Sequence, residues 1–587
     1  MHSAMSTAQS TIEFECNASF ADRATTCPAT LRLGEHELAW SVRPSSAVAA
    51  RVPYCCIYGY DTEDPTRLET KHQDLKEFDR SSLRELTVAI RYVQFASPDL
   101  RAVSSPKLAT AQFVFKQGSD AQRFLDLARQ LGVFPKPRKI LILVNPNGGV
   151  GKAKTISETV VKPMIKHSGL TVKEQHTQYS RHAVDIAHKV DLDDVDTLAV
   201  VSGDGVLHEI INGLLSRPDW DQARRLPIAI IPAGSGNAIA TSVGTRSPIV
   251  ATLAMIRGET TKLDIFSVSQ QNRRRIYSML LFSWGMMADA DIESDKYRWL
   301  GPLRFEIAGF IRMIRLRRYP GKVYVLPPRH KKPFTMVSPS DSPDPSGPLT
   351  QHASLLQDTH LEPPSPWRLL PGMPFFSMLL VLNCPSAGEN IFFTTTIRFN
   401  DGIMRLYYSC ETRFWKILLP FVLDQTNGKL VERGLMQDVE CGGILIIPGV
   451  EGKPGDHTTH EIVHPDLVTS ESAKQQNIHR KPGVFDVDGE IMPTARTLIE
   501  ILPSFMDLIV PEWFHQEQDE GEEAKVAREK AAVIIEATKS RPEAVNSKKV
   551  VEVATLLIAI AGAIATLAVF FGEDFQVWTG IASRISD

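Results

Sequence analysis

Strong charge of either sign is missing from this 587-residue chain, whose formal net charge is −3 at neutral pH. That balance argues against a nucleic-acid partner, because binding to a phosphate backbone rests on clustered lysine and arginine. Cysteine is scarce as well. The seven cysteines (Cys16, Cys27, Cys55, Cys56, Cys384, Cys410 and Cys441) form no C-x-x-C pair and no zinc spacing. An odd, scattered set argues against a disulfide framework and suits a reducing compartment. Residues 1–30 are polar and show no secretory leader pattern, so the body is expected in the cytosol. What is present is an ordinary globular composition, 43% hydrophobic and 23% charged, at a length that calls for more than one domain.

Between residues 12 and 116 short apolar runs are broken by turns. They predict strands over Ala29–Leu33, Glu37–Val42, Cys55–Tyr60, Leu86–Tyr92 and Thr110–Phe115. A helix is expected over Ser119–Leu131, with Phe124, Leu125, Leu127, Ala128 and Leu131 on one face and Asp120 in its first turn. Strands closed by one C-terminal helix resemble a pleckstrin-homology-like domain; an irregular β extension is the other reading of residues 1–134. Through residues 135–260 strands alternate with helices, the pattern of βαβ units on a parallel sheet. Residues 261–513 read as strands with few helices, an antiparallel domain. Within it, residues 327–374 hold twelve prolines in 48 positions, which predicts a disordered surface insertion. Residues 514–550 read as a charged helical linker. Residues 551–587 include Val553–Phe571, nineteen residues without a charge, preceded by Lys548 and Lys549. That stretch is long enough for a C-terminal hydrophobic anchor helix, with a buried or interfacial helix as the alternative.

Three glycine-rich stretches follow runs of buried-strand character. They are Asn145-Pro146-Asn147-Gly148-Gly149-Val150-Gly151-Lys152, Ser202-Gly203-Asp204-Gly205-Val206-Leu207-His208-Glu209 and Pro232-Ala233-Gly234-Ser235-Gly236-Asn237. Glycine there lets the backbone approach a ligand closely, and free N–H groups at a helix start attract phosphate. Gly151-Lys152 imitates a P-loop, yet that motif needs glycine where Pro146 stands and Ser or Thr where Ala153 stands. Three phosphate-type loops with one aspartate inside the second suggest a nucleotide phosphotransferase.

The first stretch instead resembles the NPxGGxGxA loop of the diacylglycerol-kinase catalytic family. The second resembles that family's GGDGTxxE and the third its PxGTxND, in the versions seen in sphingosine kinases. Asp289-Ala290-Asp291-Ile292-Glu293-Ser294-Asp295-Lys296-Tyr297-Arg298, with Leu300-Gly301 and Arg304-Phe305, resembles the sphingosine-kinase block DVDLESEKYRxLGxxRF. Val487-Asp488-Gly489-Glu490 resembles the family's VDGE, so the motifs span residues 139–510.

By this resemblance the expected fold is α/β: a parallel-sheet nucleotide domain, then an antiparallel β-rich lipid-binding domain. The expected activity is transfer of phosphate from ATP, with Mg2+, to sphingoid long-chain bases. The resemblance makes Asp204 the general base for the lipid hydroxyl. It makes Asn145, Pro146, Asn147, Gly148, Gly149, Ser202, Gly203, Gly205, Gly234, Ser235 and Asn237 the nucleotide cradle, with Thr177 toward adenosine. Arg298 and Arg304 would clamp the phosphates. Asp488, Gly489 and Glu490 would face those phosphates, with Asp488 as a Mg2+ ligand. Plainer readings stand beside these: a helix-capping Asp204, surface ion pairs of the arginines with Glu293 or Asp295, and a simple Asp-Gly turn at Asp488. Glu209 is expected to orient Asp204 or to cap a helix.

A sphingoid base carries a protonated amine beside its primary hydroxyl, whereas diacylglycerol is uncharged there and ceramide carries a neutral amide. Selecting the base calls for a carboxylate near the acceptor, and Asp291 is expected to supply it; its alternative is capping a helix near Ser294. Leu281 is apolar where a family hydroxyl is expected, which leaves a second lipid hydroxyl without an evident partner. Phe305, Ile307, Phe310, Ile311, Met313, Ile314 and Leu316, interleaved with Arg312, Arg315, Arg317 and Arg318, read as a basic amphipathic segment for a membrane surface, with ordinary core packing as the other reading of its apolar half. The expected location is the cytosolic face of an endomembrane or the plasma membrane. Competing readings are a ceramide or diacylglycerol kinase, an NAD kinase, and a non-catalytic lipid-binding scaffold. The scaffold would have lost Asp204 or a loop glycine, and all are present.

Overall fold

The computed structural model describes residues 12–514 apart from 21–26, 35, 43–47, 64–85, 96–105, 147–150, 235–236, 295, 297–302, 315, 329–351, 358–362, 371–374, 389–390, 393–396, 399, 412, 414–415, 418–435 and 450–482. Residues 1–11 and 515–587 are outside it too, so the expected linker 514–550 (beyond Phe514) and the anchor 551–587 fall outside the described residues. Among the described residues no helix is long and apolar enough to cross a membrane.

The amino-terminal part is a seven-stranded antiparallel sheet. Ile12–Phe20, Cys27–Leu33, Glu37–Val42 and Val48–Pro53 form one meander, and Ile57–Glu63, Leu86–Gln94 and Lys107–Phe115 form a second. The first strand joins the two by pairing with the seventh. Helix Gly118–Gln130 then lays Ala121, Phe124, Leu125 and Ala128 on the sheet, where Phe124 meets the rings of Phe14 and Phe115. Five of these strands were legible from their apolar alternation; Ile12–Phe20 and Val48–Pro53 were not.

This sheet packs directly on the part that follows. Tyr60 N–H donates to the His167 carbonyl at 3.2 Å, His167 Nδ1 lies 2.7 Å from Asp61 Oδ1, and Phe95 meets Trp513 edge-on. Tyr58 and Val93 share one core with Ile140, Met164, Met255 and Trp513.

An eleven-stranded sheet forms the middle of the molecule. Thr171–His176, Lys139–Val144, Thr197–Ser202 and Ile228–Pro232 lie side by side and parallel. The inner three are almost wholly apolar and buried, as covering on both faces requires. The long strand Thr497–Ile509 continues the sheet, parallel to Ile228–Pro232 through Ile228 and Leu508. Its other pairings are antiparallel, with Thr260–Gln270 along its whole length and with Gly443–Pro448 at its start. Parallel and antiparallel regions are therefore one sheet. A second, six-stranded antiparallel sheet contains Leu281–Gly285, Met378–Leu382, Met404–Ser409, Gln437–Cys441, Phe485–Val487 and Glu490–Met492.

The expected disordered insertion 327–374 needs correction over its described second half. Leu355, Leu356 and Trp367 are buried against Tyr324, Leu326, Leu445 and Leu498, and Arg368–Leu369 adds a short strand to Tyr319–Leu326. Proline-rich composition hid four large apolar side chains in this stretch, Leu370 being the fourth.

A Cβ placed on Gly59 would sit 1.8 Å from the His167 carbonyl oxygen. Gly59→Ala is expected to cost about 1–3 kcal/mol by forcing the sheet off its neighbour. Thermal denaturation measures this; an unchanged melting temperature would reject the close approach.

Candidate active site

The three glycine-rich stretches lie at the carboxyl ends of three adjacent parallel strands, where ligands bind in open α/β sheets. They are laced together: Asn145 N–H donates to the Val201 carbonyl at 3.3 Å, and Ala233 N–H to the Ser202 carbonyl at 2.9 Å. Thr177 joins them, its N–H donating to the Val144 carbonyl at 3.0 Å. Gly151 takes a positive φ of 72° and Gly205 stands against open space, so the backbone there is bare of side chains. Gly234 and Asn237 close the third loop on themselves through Asn237 Oδ1 and Nδ2. Asn147, Gly148, Gly149 and Ser235 lie outside the described residues, as does Arg298. Arg304 lies in helix Leu303–Ile314, but its side chain is likewise not described.

Asp204 opens helix Asp204–Leu215 and caps a different one. Its Oδ2 accepts Ala238 N–H at 2.7 Å and its Oδ1 accepts Ile239 N–H at 3.2 Å, at the start of helix Ala238–Ser242. One carboxylate thus joins the second loop to the third. Burial pushes its pKa up to about 7; the two amides oppose that rise, and the Asp488 charge adds to it. Glu209 also caps a neighbouring helix, accepting the N–H groups of Arg181 and Ala183 at 3.3 and 3.1 Å. Burial raises its pKa, with the Glu490 charge adding to the rise.

Asp488 and Gly489 both take positive φ, 52° and 89°, as the two central residues of a tight hairpin between Phe485–Val487 and Glu490–Met492. The plain Asp-Gly turn is the conformation found at Asp488. Its carboxylate accepts five hydrogen bonds: Ser278 Oγ at 2.7 Å, the N–H groups of Met279, Leu280 and Leu281 at 3.1, 3.3 and 2.8 Å, and His208 Nδ1 at 2.8 Å. Its side chain is fully enclosed. Glu490 is exposed at the far side of the turn. Among the described residues no three metal-ligating side chains converge.

Asp291 is half-buried in helix Met286–Ser294. It faces Asp486, a buried residue that accepts Ser283 Oγ at 3.2 Å and Gly489 N–H at 2.9 Å. Burial first, and then the Asp291 charge, push the pKa of Asp486 up to about 8. Asp486 was not singled out from the sequence, where it reads as one more acidic residue beside the VDGE motif. His208 and Asn212 were missed too, although their spacing from Asp204, four and eight residues on, places all three on one helix face.

Two arginines of the basic amphipathic segment turn toward the acidic block. Arg317 donates to Asp289 at 2.8 Å, joined there by the Tyr319 hydroxyl, and Arg312 is paired with Glu293. Arg318 lies over the Phe375 ring. Two of the four arginines are thus spent on the acidic block itself, and Arg315 lies outside the described residues.

Residues 139–268 match the diacylglycerol kinase catalytic domain. With the glycine loops and Asp204 at their strand ends, that makes the chain a lipid kinase. Sphingosine kinase 1 of Arabidopsis thaliana is 33% identical over 402 residues, 67% of this chain and 77% of that protein. Sphingosine kinase 1 of Mus musculus is 31% identical over 393 residues, 64% of this chain and 92% of its own length. The human counterpart is 30% identical over 412 residues, 67% of this chain and 97% of that protein. The chain belongs to the sphingosine kinase family.

Replacing Asp488 with Ala would orphan five buried donors, and a loss of about 3–5 kcal/mol in unfolding free energy is expected. Denaturant titration measures it. A loss under about 1 kcal/mol would show that the turn is held by other means.

Proposed function

We propose that this kinase transfers the terminal phosphate of ATP to the primary hydroxyl of sphingoid long-chain bases, giving the 1-phosphate, with Asp204 as general base. The observation that carries the reading is the position of Asp204. It is a buried carboxylate at the junction of the second and third loops, with a proton affinity near neutrality. A base poised near working pH takes a proton efficiently without being protonated throughout. Asp204 removes the hydroxyl proton as the lipid oxygen bonds to the terminal phosphorus, and the bond from that phosphorus to the bridging oxygen breaks, releasing ADP.

Phosphate binding falls to the bare backbone of the loops and to Asn145 and Asn237 at their ends. Mg2+ neutralises phosphate charge when bound. The nucleotide's own phosphate oxygens would supply ligands to that ion, hard oxygen donors being what it takes. Asp291 supplies a negative partner for the protonated amine, the group that separates a sphingoid base from diacylglycerol and ceramide. A lipid substrate brings the enzyme to a membrane surface, for which we propose the cytosolic face of an endomembrane or the plasma membrane, with 553–571 as the anchor and the amino-terminal sheet and helix as a pleckstrin-homology-like module. The near-neutral charge supports the absence of a nucleic-acid partner.

The test supplies terminally labelled ATP with sphingosine, diacylglycerol and ceramide in mixed micelles. Label on sphingosine alone is expected, with a loss of about 100-fold or more in Asp204→Asn. Equal label on diacylglycerol or ceramide would reject the substrate assignment. Asp291→Asn is expected to raise the sphingosine KM about tenfold, roughly the worth of one charge-assisted bond; unchanged selectivity would remove Asp291 from the site. Because only the ionised carboxylate takes the proton, kcat should climb with pH and level off above about 7.

A further inference from the structure

Helix Met286–Ser294 carries three carboxylates, Asp289, Asp291 and Glu293. Asp289 and Glu293 stand four residues apart and share one face; Asp291, two residues from each, lies on the other. The start of this helix is set by the backbone. Met286 N–H donates to the Ser377 carbonyl at 2.9 Å. Gly285, just before it, takes a positive φ of 93°, and a Cβ there would meet that carbonyl oxygen at 2.7 Å. A tether at one end leaves the rotation of the following turns to side chains.

Those side chains come from the next helix and the strand after it. Arg312, near the end of helix Leu303–Ile314, is paired through Nε and Nη2 with both Glu293 oxygens, the Nε contact at 2.7 Å. Arg317 Nη1 and the Tyr319 hydroxyl each donate to Asp289 Oδ2 at 2.8 Å, and Arg312 Nη1 stands 3.9 Å from the same oxygen. Arg312 and Asp289 are 8% and 6% exposed, so salt and water screen them little. Two carboxylates meet two guanidiniums, and the Tyr319 ring is itself held edge-on against Trp284. The Asp291 charge is felt by Asp486, in the six-stranded sheet.

We propose that Arg312, Arg317 and Tyr319 are positioning residues for the acceptor amine: by holding Asp289 and Glu293 they fix the rotation of helix Met286–Ser294 and turn Asp291 toward the lipid. The proposal rests on the reading of Asp291 as the partner of the protonated amine. The three act through that carboxylate, so losing them weakens lipid binding and leaves ATP binding and the chemical step in place.

The test uses the full chain with labelled ATP and sphingosine, taking kcat, both KM values and the melting temperature of each variant. Arg317→Met keeps much of the side chain's apolar stem and removes its charge. The sphingosine KM is expected to rise about fivefold, with kcat and the ATP KM within about twofold. Arg317→Lys, which can still donate to Asp289, should return the sphingosine KM to near its original value. Adding Arg317→Met to Asp291→Asn should raise the sphingosine KM no further than Asp291→Asn alone, because both changes act on one contact. Glu293→Gln, on the more exposed pair, is expected to give the same split at about threefold, and it decides the matter if Arg317→Met does not fold. An unchanged sphingosine KM in Arg317→Met and Glu293→Gln would overturn the proposal. So would effects that multiply in the double variant, or a joint loss of kcat, both affinities and melting temperature that Arg317→Lys does not relieve. Failure of the underlying amine reading shows separately, as a wild-type sphingosine KM in Asp291→Asn.

Discussion

Pairing along Thr497–Ile509 places the strands that carry the glycine-rich loops and the antiparallel strands on one continuous sheet. One edge of this strand is taken entirely by Thr260–Gln270. Its other edge is divided, with Gly443–Pro448 at the start and Ile228–Pro232 at the end. A strand serving two partners of opposite direction must change its twist midway. Here the register breaks opposite Leu263 and Ile265, and Ser504 takes a positive φ of 50°. Asp264, buried in that break, accepts the N–H groups of Ser504 and Gly402 and fixes the bend. Burial pushes the Asp264 pKa up to about 7, so the pin is itself held in a strained electrostatic setting.

The six-stranded sheet meets this frame where Asp488 touches the catalytic helix. Hydrogen bonds spanning 280 and 210 residues of sequence, to His208 and Ser278, converge on one carboxylate. Phosphoryl transfer needs little covalent work from a protein but exact placement of two reactants, one nucleotide and one lipid. The buried Asp488 carboxylate ties the hairpin of the six-stranded sheet to helix Asp204–Leu215 and to Ser278.

The glycine loops and the strands before them were legible because their signals are local: a run of apolar residues, then residues without side chains. Asp204 was legible for the same reason. What it bonds to was not, since capping the helix at Ala238 depends on two loops meeting at neighbouring strand ends. The plain turn at Asp488-Gly489 was among the readings of the sequence, while the network around it required knowing which residues lie across the fold. The arginines after Leu303 show the opposite case. Counted in sequence they suggest a surface for anionic lipid, yet Asp289 and Glu293, acidic residues in the preceding block, draw two of them inward. Composition misled in the insertion as well, where proline outweighed Leu355, Leu356, Trp367 and Leu370.

Gly59 and the shared core around Tyr58 and Val93 bear on the ancestry and handling of this enzyme. The amino-terminal sheet seals the helices that follow the first and third phosphate loops, packing beside Val161 and Met164 on one and Met255 on the other. A chain that began at residue 135 would leave that apolar wall wet, and any relative built without such a sheet must cover the same wall with something else. The amino-terminal region is thus a structural wall against the helices that follow the first and third loops.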